Sequence, residues 1–381
     1  MKILAAGGGS GGHVSPVVAL FNELAVHDKH LDAVFVCDRA FETQSHGLMQ
    51  AVSVPVAVRV IHSGKLRRYA HLSAFQHLLV RGLVWNNFKD LFKIFAGFFE
   101  SVRLMRRFNP DVVFTKGGFV CLPVGYAAHV LRIPLVIHDS DTRPGLTNRI
   151  LARWANVVAT GSPLENYHYP AAKSHYVGVP ISPRFRPKTP PQQAAYKQKL
   201  GFNPDKLLVV AVGGGLGAVS INTAMNHAAP ALIEQGIGAF LVAGKAHYDE
   251  ALQAAPKSEL YKVAPFVFER MDEVLGAADI VVTRGSATFL QELAGLGVAA
   301  IIVPAHQLGD QIKNAKVFHE AQAALVVQNE GIEQDNRLEQ AIITLADDPM
   351  MRRELGERLH AFAKPKAAQQ LATLIMTAAK R

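Results

Sequence analysis

The sequence predicts an α/β protein of two doubly wound domains whose parallel sheets face each other across a cleft, and three observations predict it. In the first half, apolar runs of strand length alternate with helical patterns, at Lys2 to Ala6, Ala33 to Cys37, Val112 to Thr115, Leu135 to His138 and Val157 to Thr160. This is the rhythm of a parallel sheet wrapped by helices. The pattern breaks between Pro180 and Pro191, where five prolines disfavour helix and sheet alike. It then restarts with Leu207 to Val212, Ala239 to Ala243, Ile280 to Thr283 and Ala300 to Val303. Two Rossmann-like domains follow, expected over 1–178 and 192–363 with 179–191 as the hinge. Open α/β sheets bind ligands at the carboxyl ends of their strands, so the ligand is expected between the domains.

Composition bounds the rest. With 381 residues, 19% charged and 49% hydrophobic, the chain is long enough to bury sizeable cores and is neither a disulfide-stapled mini-protein nor disordered. Cys37 and Cys121 are too far apart for a CxxC metal or redox site, and a reducing compartment is expected. The net charge of +9 lies almost wholly in the first half, where residues 1–180 carry 19 Lys and Arg against 11 Asp and Glu. An anionic surface should therefore meet that half first. Neither a signal peptide nor a transmembrane helix is expected. The most apolar stretch, Leu91 to Phe99, is interrupted by Lys93 and closed by Glu100, well short of the ~20 apolar residues of a span. No nucleic-acid partner is expected.

The glycine loops carry the chemistry. Gly7 to His13 (GGGSGGH) follows the first strand and leads into a helix from about Pro16 to Leu24. Glycines allow a tight turn and close approach to a ligand, and the helix start offers N–H groups to an anion. The spacing of Gly7, Gly9 and Gly12 satisfies G-x-G-x-x-G, with Asp38 where a ribose-binding acid would stand, so an NAD-dependent dehydrogenase has to be weighed. Against it stands a second loop, Gly213 to Ala218 (GGGLGA), placed the same way before a helix near Ser220. A third, Thr283 to Thr288, opens a helix that carries Glu292 about two turns in. Amides at that helix start suit a pyrophosphate, and a carboxylate on the same helix can accept from both ribose hydroxyls. Glu292 alone reads equally as a solvated helix glutamate. Its company reverses that, because Pro304 and then Asp310-Gln311-Ile312-Lys313-Asn314-Ala315 follow the next strand, and Asp beside Gln can bond several sugar hydroxyls.

With these motifs in place the chain resembles the nucleotide-sugar glycosyltransferases of the two-Rossmann-domain GT-B type, and within them the MurG-like family. The resemblance runs through Gly7 to Leu20, Lys116-Gly117-Gly118-Phe119-Val120 with Pro123, His138-Asp139-Ser140-Asp141 to Gly145-Leu146-Thr147-Asn148, and Gly178-Val179-Pro180-Ile181. It implies inverting transfer of N-acetylglucosamine from UDP-N-acetylglucosamine to undecaprenyl-pyrophosphoryl-muramyl-pentapeptide, in peptidoglycan synthesis, at the cytoplasmic face of the plasma membrane, with no cofactor. It further implies that residues 1–178 take the acceptor, that 192–363 take the donor, and that the 364–381 segment folds back as a helix on the first domain. Donor contacts are implied for Ser10, Gly11, Gly12 and Arg184, for Gly215 and Gly217, and for Val267 and Phe268. The third loop adds Arg284, Gly285, Ser286, Ala287 and Glu292, and the last motif adds Asp310 and Gln311. Acceptor contacts are implied for Gly117, Gly118, His138, Asp141 and Asn148.

The chain departs from the family at several of these positions. Gly215 and Leu216 stand in place of a GGSxGA segment, Ser182 replaces the hinge arginine with Arg184 two residues on, and Asp139 and Asp141 replace Glu and Asn. Alternatives are a UDP-sugar transferase acting on another lipid-linked acceptor, and a non-catalytic subunit that binds the lipid intermediate.

Inverting transfer needs a base, an open line of attack and stabilisation of the departing nucleotide. His13 closes the first loop, and a histidine, with an ordinary pKa of about 6.5, suits the base. Asp139 is the second catalytic candidate. Asp139 and Asp141 form a D-x-D that in another transferase class holds a divalent metal. Here the resemblance assigns the diphosphate to helix amides, so no metal is expected. Finally, residues 60–108 hold nine basic residues and nine of the 30 aromatics, with Phe88, Leu91, Phe92, Phe95, Phe99 and Val102 on one helical face and Ile94 and Phe98 off it. Apolar bulk with basic flanks is the composition of an interfacial anchor, so this segment is expected to dock on an anionic membrane. The competing reading packs the helix inside the first domain.

Overall fold

The computed structural model describes residues 1–8, 11–65, 83–215, 217–267 and 270–380. The chain divides into two compact units, Met1–Pro180 together with the segment from Lys366, and Ile181–Pro365. The first unit is built on seven strands, β1 (Lys2–Ala6), β2 (Asp32–Cys37), β3 (Val56–Val60), β4 (Val112–Thr115), β5 (Leu135–Asp139), β6 (Val157–Thr160) and β7 (Ser174–Tyr176). They pair in the order β3-β2-β1-β4-β5-β6-β7, every pair parallel. The order reverses between β1 and β4, and that switch point is where a doubly wound sheet opens a crevice. Central strands are buried on both faces, as parallel strands covered by helices must be, with Ile3, Phe35, Phe114 and Val136 in one layer and Leu4, Val34, Val113 and Ile137 in the other. The helix Ala367–Ala379 belongs to this unit and lays Leu371, Ala372 and Ile375 against Val17, Leu20 and Leu24 of the helix Ser15–His27.

The second unit repeats the plan with β8 (Leu208–Val212), β9 (Gly238–Val242), β10 (Tyr261–Ala264), β11 (Ile280–Thr283), β12 (Ala299–Ile302) and β13 (Leu325–Val326), ordered β10-β9-β8-β11-β12-β13 and all parallel. Its switch point lies between β8 and β11. The four strands without a counterpart in the sequence reading are the four sheet edges. β3 and β10 are half-exposed, β7 has three residues and β13 two, so none shows the continuous apolar run of a central strand. Pro190 and Pro191 do not extend the linker. They occupy the first turn of the helix Pro190–Lys199, where the missing N–H is tolerated, behind a capping box of Thr189 and Gln192.

The helix Leu83–Phe108 is amphipathic in an inverted sense. The face turned to the sheet carries Asp90, Gly97, Ser101 and Met105, all buried, while Trp85, Phe88, Leu91, Phe92, Phe95 and Phe99 are exposed, Phe99 to 66%. Phe98 and Val102 pack partly on the core, so the aromatic face that the sequence presents is the outer one. Residues 61–65 lie along the inner face, with His62 N–H and Nδ1 both bonded to Glu100 at 2.7 Å. A Cβ at Gly97 would overlap the His62 carbonyl oxygen. Gly97→Ala should therefore destabilise the first unit by roughly 1–3 kcal/mol through forced overpacking, read as a lowered urea midpoint. A midpoint equal to wild type would mean that the strand-to-helix segment yields freely.

Candidate functional site

In the first unit the loops after β1, β4 and β5, three neighbouring strands, meet at the switch point. Lys116 N–H donates to Ala6 O at 2.9 Å and Gly7 N–H to Val36 O at 3.2 Å, which holds both loops down on the sheet. Gly118 has φ +89, and a Cβ there would lie 2.5 Å from Gly8 O. Only glycine lets the two loops pass so closely. Gly117, at φ +95, lies beside Asn148, whose Nδ2 donates to His138 O at 3.1 Å. Gly11, Gly12 and His13 form a 3-10 turn ahead of the helix Ser15–His27. Ser10 lies outside the described residues. Asp38, the acid that a dinucleotide site would turn to a ribose, caps its own turn instead, accepting from Ala40 N–H at 2.9 Å.

Asp139 ends β5 buried, with Oδ2 accepting from Tyr169 OH at 2.7 Å and Gly145 N–H at 3.1 Å. Burial pushes its carboxyl up to about 6, against the pull of the Tyr169 bond and, more weakly, of Lys116. His138 Nε2 faces Gly178 O at 2.8 Å, and Ser140 Oγ lies 3.4 Å from Nδ1. A carbonyl only accepts, so Nε2 carries the proton of the neutral ring. Lys116 Nζ donates to Ser140 Oγ. Burial, with the nearby Lys116 cation second, pulls both His13 and His138 down to about 3. The ordinary histidine value expected for His13 from the sequence therefore does not hold, and the ring is neutral throughout the physiological range. Asp141 is half-buried, its carbonyl accepting from Tyr167 OH at 2.7 Å.

In the second unit the loops after β8 and β11 meet in the same manner. Gly217 has φ +81, and a Cβ there would overlap Ala243 O. Gly215 sits in the turn that Gly217 N–H closes onto Gly214 O at 2.9 Å. A Cβ at Gly214 would lie 2.9 Å from an Arg284 guanidinium nitrogen, so the glycine makes room for that side chain. Gly285 is clasped by the helix Gly309–Glu320, where Asn314 Nδ2 donates to Gly285 O at 2.9 Å and a Cβ on Gly285 would overlap Gln311 O. Ser286 and Ala287 open the helix Ala287–Leu296, whose first-turn amides have no acceptor within the helix. Gln311 is buried, and its Oε1 accepts from Ala305 N–H at 3.2 Å, which leaves its NH₂ group for other partners; Asp310 is exposed. Val267 packs on the core beside β11, and Phe268 lies outside the described residues. Arg184 is exposed and bonded through its backbone alone, to Ser182 Oγ and Lys188.

Of the seven buried side-chain polar atoms without a partner among the described residues, five lie at these two places: Asp38 Oδ2, Thr115 Oγ1 and Asn148 Oδ1 in the first unit, and Asn222 Oδ1 and Arg284 Nε in the second, with Ser45 Oγ and Ser63 Oγ elsewhere in the first unit. Glu292 joins them, 8% exposed, with no hydrogen-bond or ionic partner among the described residues, and burial raises its carboxyl to about 8. Such groups are costly unless a ligand meets them. Sequence reasoning gave no role to Lys116, Ser140, Tyr167 or Tyr169. The one available signal was a lysine directly before two glycines at a strand end.

Two parallel sheets, each doubly wound and each with a glycine loop at its switch point, define a GT-B architecture. Residues 3–160 match the glycosyltransferase family 28 N-terminal domain and residues 208–371 its C-terminal domain. A Halalkalibacterium halodurans protein named UDP-N-acetylglucosamine--N-acetylmuramyl-(pentapeptide) pyrophosphoryl-undecaprenol N-acetylglucosamine transferase is 30% identical over 386 residues, covering 100% of both chains. The Shouchella clausii protein of the same name is 33% identical over 87% of each chain. Among solved structures, Acinetobacter baumannii MurG superposes with a TM-score of 0.68 at 23% identity over 99% of both chains. A Neisseria meningitidis UDP-GlcNAc 2-epimerase bound to UDP-GlcNAc superposes with 0.64 at 11% identity, sharing the fold, over 99% of this chain and 100% of its own. The chain belongs to glycosyltransferase family 28, among its MurG-like members.

The raised carboxyl of Glu292 has a consequence for stability that needs no ligand. Between its ordinary 4.5 and about 8 the folded chain holds one proton more than the unfolded chain. The stabilising contribution of the protonated form is complete below 4.5 and is lost as pH rises through that window, by at most about 1.4 kcal/mol per pH unit. Glu292→Gln should match wild type in melting temperature near pH 5 and exceed it at pH 8. A constant difference across that range would show that the carboxyl is ionised in the folded chain.

Proposed function

We propose that the chain transfers N-acetylglucosamine from UDP-N-acetylglucosamine to the undecaprenyl-pyrophosphoryl-linked muramyl pentapeptide, with inversion. The observation that carries the donor half is Glu292, buried and unpartnered on the helix that opens at the Arg284–Ser286 loop. A nucleoside diphosphate supplies what both features need: ribose hydroxyls for the carboxyl and anionic oxygens for the helix amides and Arg284. Gly215, Gly217, Ser286 and Ala287 let backbone approach the diphosphate, and Asp310 with the NH₂ of Gln311 meets the sugar. Val267, Phe268 and Arg184 are further donor contacts on this reading, as are Ser10, Gly11 and Gly12 of the first loop. Gly117, Gly118, His138, Asp141 and Asn148 receive the acceptor.

In the reaction an acceptor hydroxyl attacks the anomeric carbon, the bond from that carbon to the diphosphate oxygen breaks, and the hydroxyl proton passes to a base. His13 is that base, neutral beforehand. The anionic pyrophosphate of the acceptor offsets the Lys116 field and raises the proton affinity of the ring as the substrate binds. Asp139 holds the 139–145 turn through Gly145 and stands as the second proton acceptor.

Purified protein should convert UDP-N-acetylglucosamine and the lipid-linked muramyl pentapeptide to UDP and the disaccharide lipid. Glu292→Ala should weaken UDP binding by well over tenfold, since two hydrogen bonds between ribose hydroxyls and a buried carboxyl are together worth roughly 2 to 4 kcal/mol when the group would otherwise be unmatched. UDP release that proceeds only with a different lipid-linked acceptor would replace the acceptor reading, and unchanged UDP affinity in a folded Glu292→Ala protein would end the donor reading.

The helix Leu83–Phe108 docks this chemistry on the cytoplasmic face of an anionic membrane. Among the described residues no helix is long and apolar enough to cross a membrane. The exposed aromatic row runs beside exposed Lys89, Lys93, Arg103, Arg106 and Arg107, with the Lys89 ammonium 5.3 Å from the Trp85 ring centre. Each cation near anionic lipid adds on the order of 1 kcal/mol to the burial of the aromatic row. The basic and aromatic residues expected to contribute between 66 and 82 lie outside the described residues. In co-sedimentation, binding should rise with the anionic content of vesicles, weaken at high salt, and fall severalfold on replacing Phe92, Phe95 and Phe99 by Ser. Equal recovery with neutral and anionic vesicles would remove the electrostatic part, and recovery with neither would remove the docking.

A further inference from the structure

Lys116 is a buried cation that the transfer reaction does not touch. It is 2% exposed, placed between β4 and the two left-handed glycines, at the point where the sheet order reverses. A lysine so buried requires compensation, and Asp139 and Asp141 supply the opposite charge. Its ammonium donates to Ser140 Oγ. Because His138 Nε2 is committed as a donor to Gly178 O, Nδ1 is the acceptor and the Ser140 hydroxyl proton points to it. The bonds therefore have one direction, from Lys116 through Ser140 to His138 and on to Gly178.

We propose that Lys116 is a positioning residue for the transfer: through Ser140 it fixes the orientation and tautomer of His138 and the 138–141 segment, and its ammonium is the positive charge that His13 and His138 face. This rests on the transferase reading above. The groups that face Lys116 are His13 from the first loop, His138 and Asp139 from β5, Ser140 and Asp141 just beyond it, and Cys121 from the helix Cys121–Val130. Asp139 is in turn faced by Tyr167 and Tyr169. Lys116 lowers the proton affinity of His13, His138 and Asp139 alike. Removal of its charge raises all three, and Asp139, already pushed up to about 6, is the group whose rise adds protonated, inactive enzyme at mildly acid pH.

The test uses the full chain carrying Lys116→Met, with Lys116→Arg and Ser140→Ala beside it. Lys116→Met should lower kcat at pH 8 by tenfold or more, leave the calorimetric UDP affinity within twofold, and move the acidic limb of the kcat profile to higher pH. Lys116→Arg keeps the charge and should keep the limb in place. In protein labelled at histidine, the NMR titration midpoints of His13 and His138, assigned from His13→Gln and His138→Gln, should rise in Lys116→Met alone. Ser140→Ala, which retains the charge, should lower kcat severalfold with both midpoints unmoved, and it carries the test should Lys116→Met fail to fold. Unmoved midpoints in folded Lys116→Met, a lowered kcat with an unmoved acidic limb, or full activity in both Lys116→Met and Ser140→Ala would overturn the proposal. Absence of transfer by the wild-type protein would instead count against the transferase reading, while the histidine midpoints, which need no substrate, still decide what Lys116 does.

Discussion

The constraint on which the functional regions depend is the close passage of two backbones, at the switch point of the first unit and one strand beyond it, after β11 and β12, in the second. Gly8 and Gly118 in the first unit, and Gly285 with Gln311 in the second, approach to a distance that no side chain survives. Gly118 holds this approach at a positive φ. A parallel sheet whose order reverses sends the loops of two adjacent strands to opposite faces, and the gap between them is filled from below by whatever the strand ends carry. With glycine above, that filling is peptide groups and a few side chains at strand ends: Lys116, His138 and Asp139 in one unit, Arg284 in the other. The chemistry follows from the sparse placement of these groups.

The two units differ in how the buried charged groups at their sites are met. In the first, the charged and titratable groups are largely bonded to each other, Asp139 to Tyr169 and Gly145, and Lys116 through Ser140 to His138. Such a network is rigid and holds its proton positions before a substrate arrives, which is what a site that must move a proton requires. In the second, Glu292 stands in low dielectric with burial as the cause of its raised carboxyl, and Arg284 Nε meets no partner among the described residues. A site of that kind is destabilised when empty and gains most from a ligand that brings both hydroxyls and negative charge.

Much of this was legible in the sequence because it is written in local pattern. Strands buried on both faces read as apolar runs, so β1, β4, β6 and β11 have the bounds that the runs suggest, while the edge strands, short or half-exposed, lack the signal. Glycine loops at strand ends marked both switch points. What was not legible depends on contacts between segments far apart in the chain. Tyr169 reaches Asp139 across 30 residues, and His138 reaches Gly178 across 40. The proton affinity of His13 is set by burial and by a lysine about a hundred positions away, and nothing around a GGH sequence reports either. Gln311 shows the same limit, since its neighbour Asp310 suggested a pair for sugar hydroxyls while Ala305 takes its carbonyl oxygen.

The helix Leu83–Phe108 shows how a packing constraint leads to an exposed aromatic surface. Its inner face is small because residues 61–65 run over it, with the His62 carbonyl oxygen against Gly97 and Pro123 close by. Ser101 adds a bond back to Gly97 O at 2.6 Å, which keeps that face polar and narrow. No phenylalanine fits there, so apart from Phe98 and Phe108, which pack partly on the core, the described aromatic side chains of this helix lie on the outer face. Leaving one phenylalanine in water forgoes roughly 1.5–3 kcal/mol of burial, and here Phe88, Phe92, Phe95 and Phe99 are all exposed on one helix. Scattered apolar residues on a surface need no explanation, but a contiguous row does. The row lies among lysines and arginines rather than acids, a composition that fits the anionic lipid surface proposed above better than an apolar protein groove. On that proposal, a helix that could not bury its aromatics inside the protein would bury them in the bilayer.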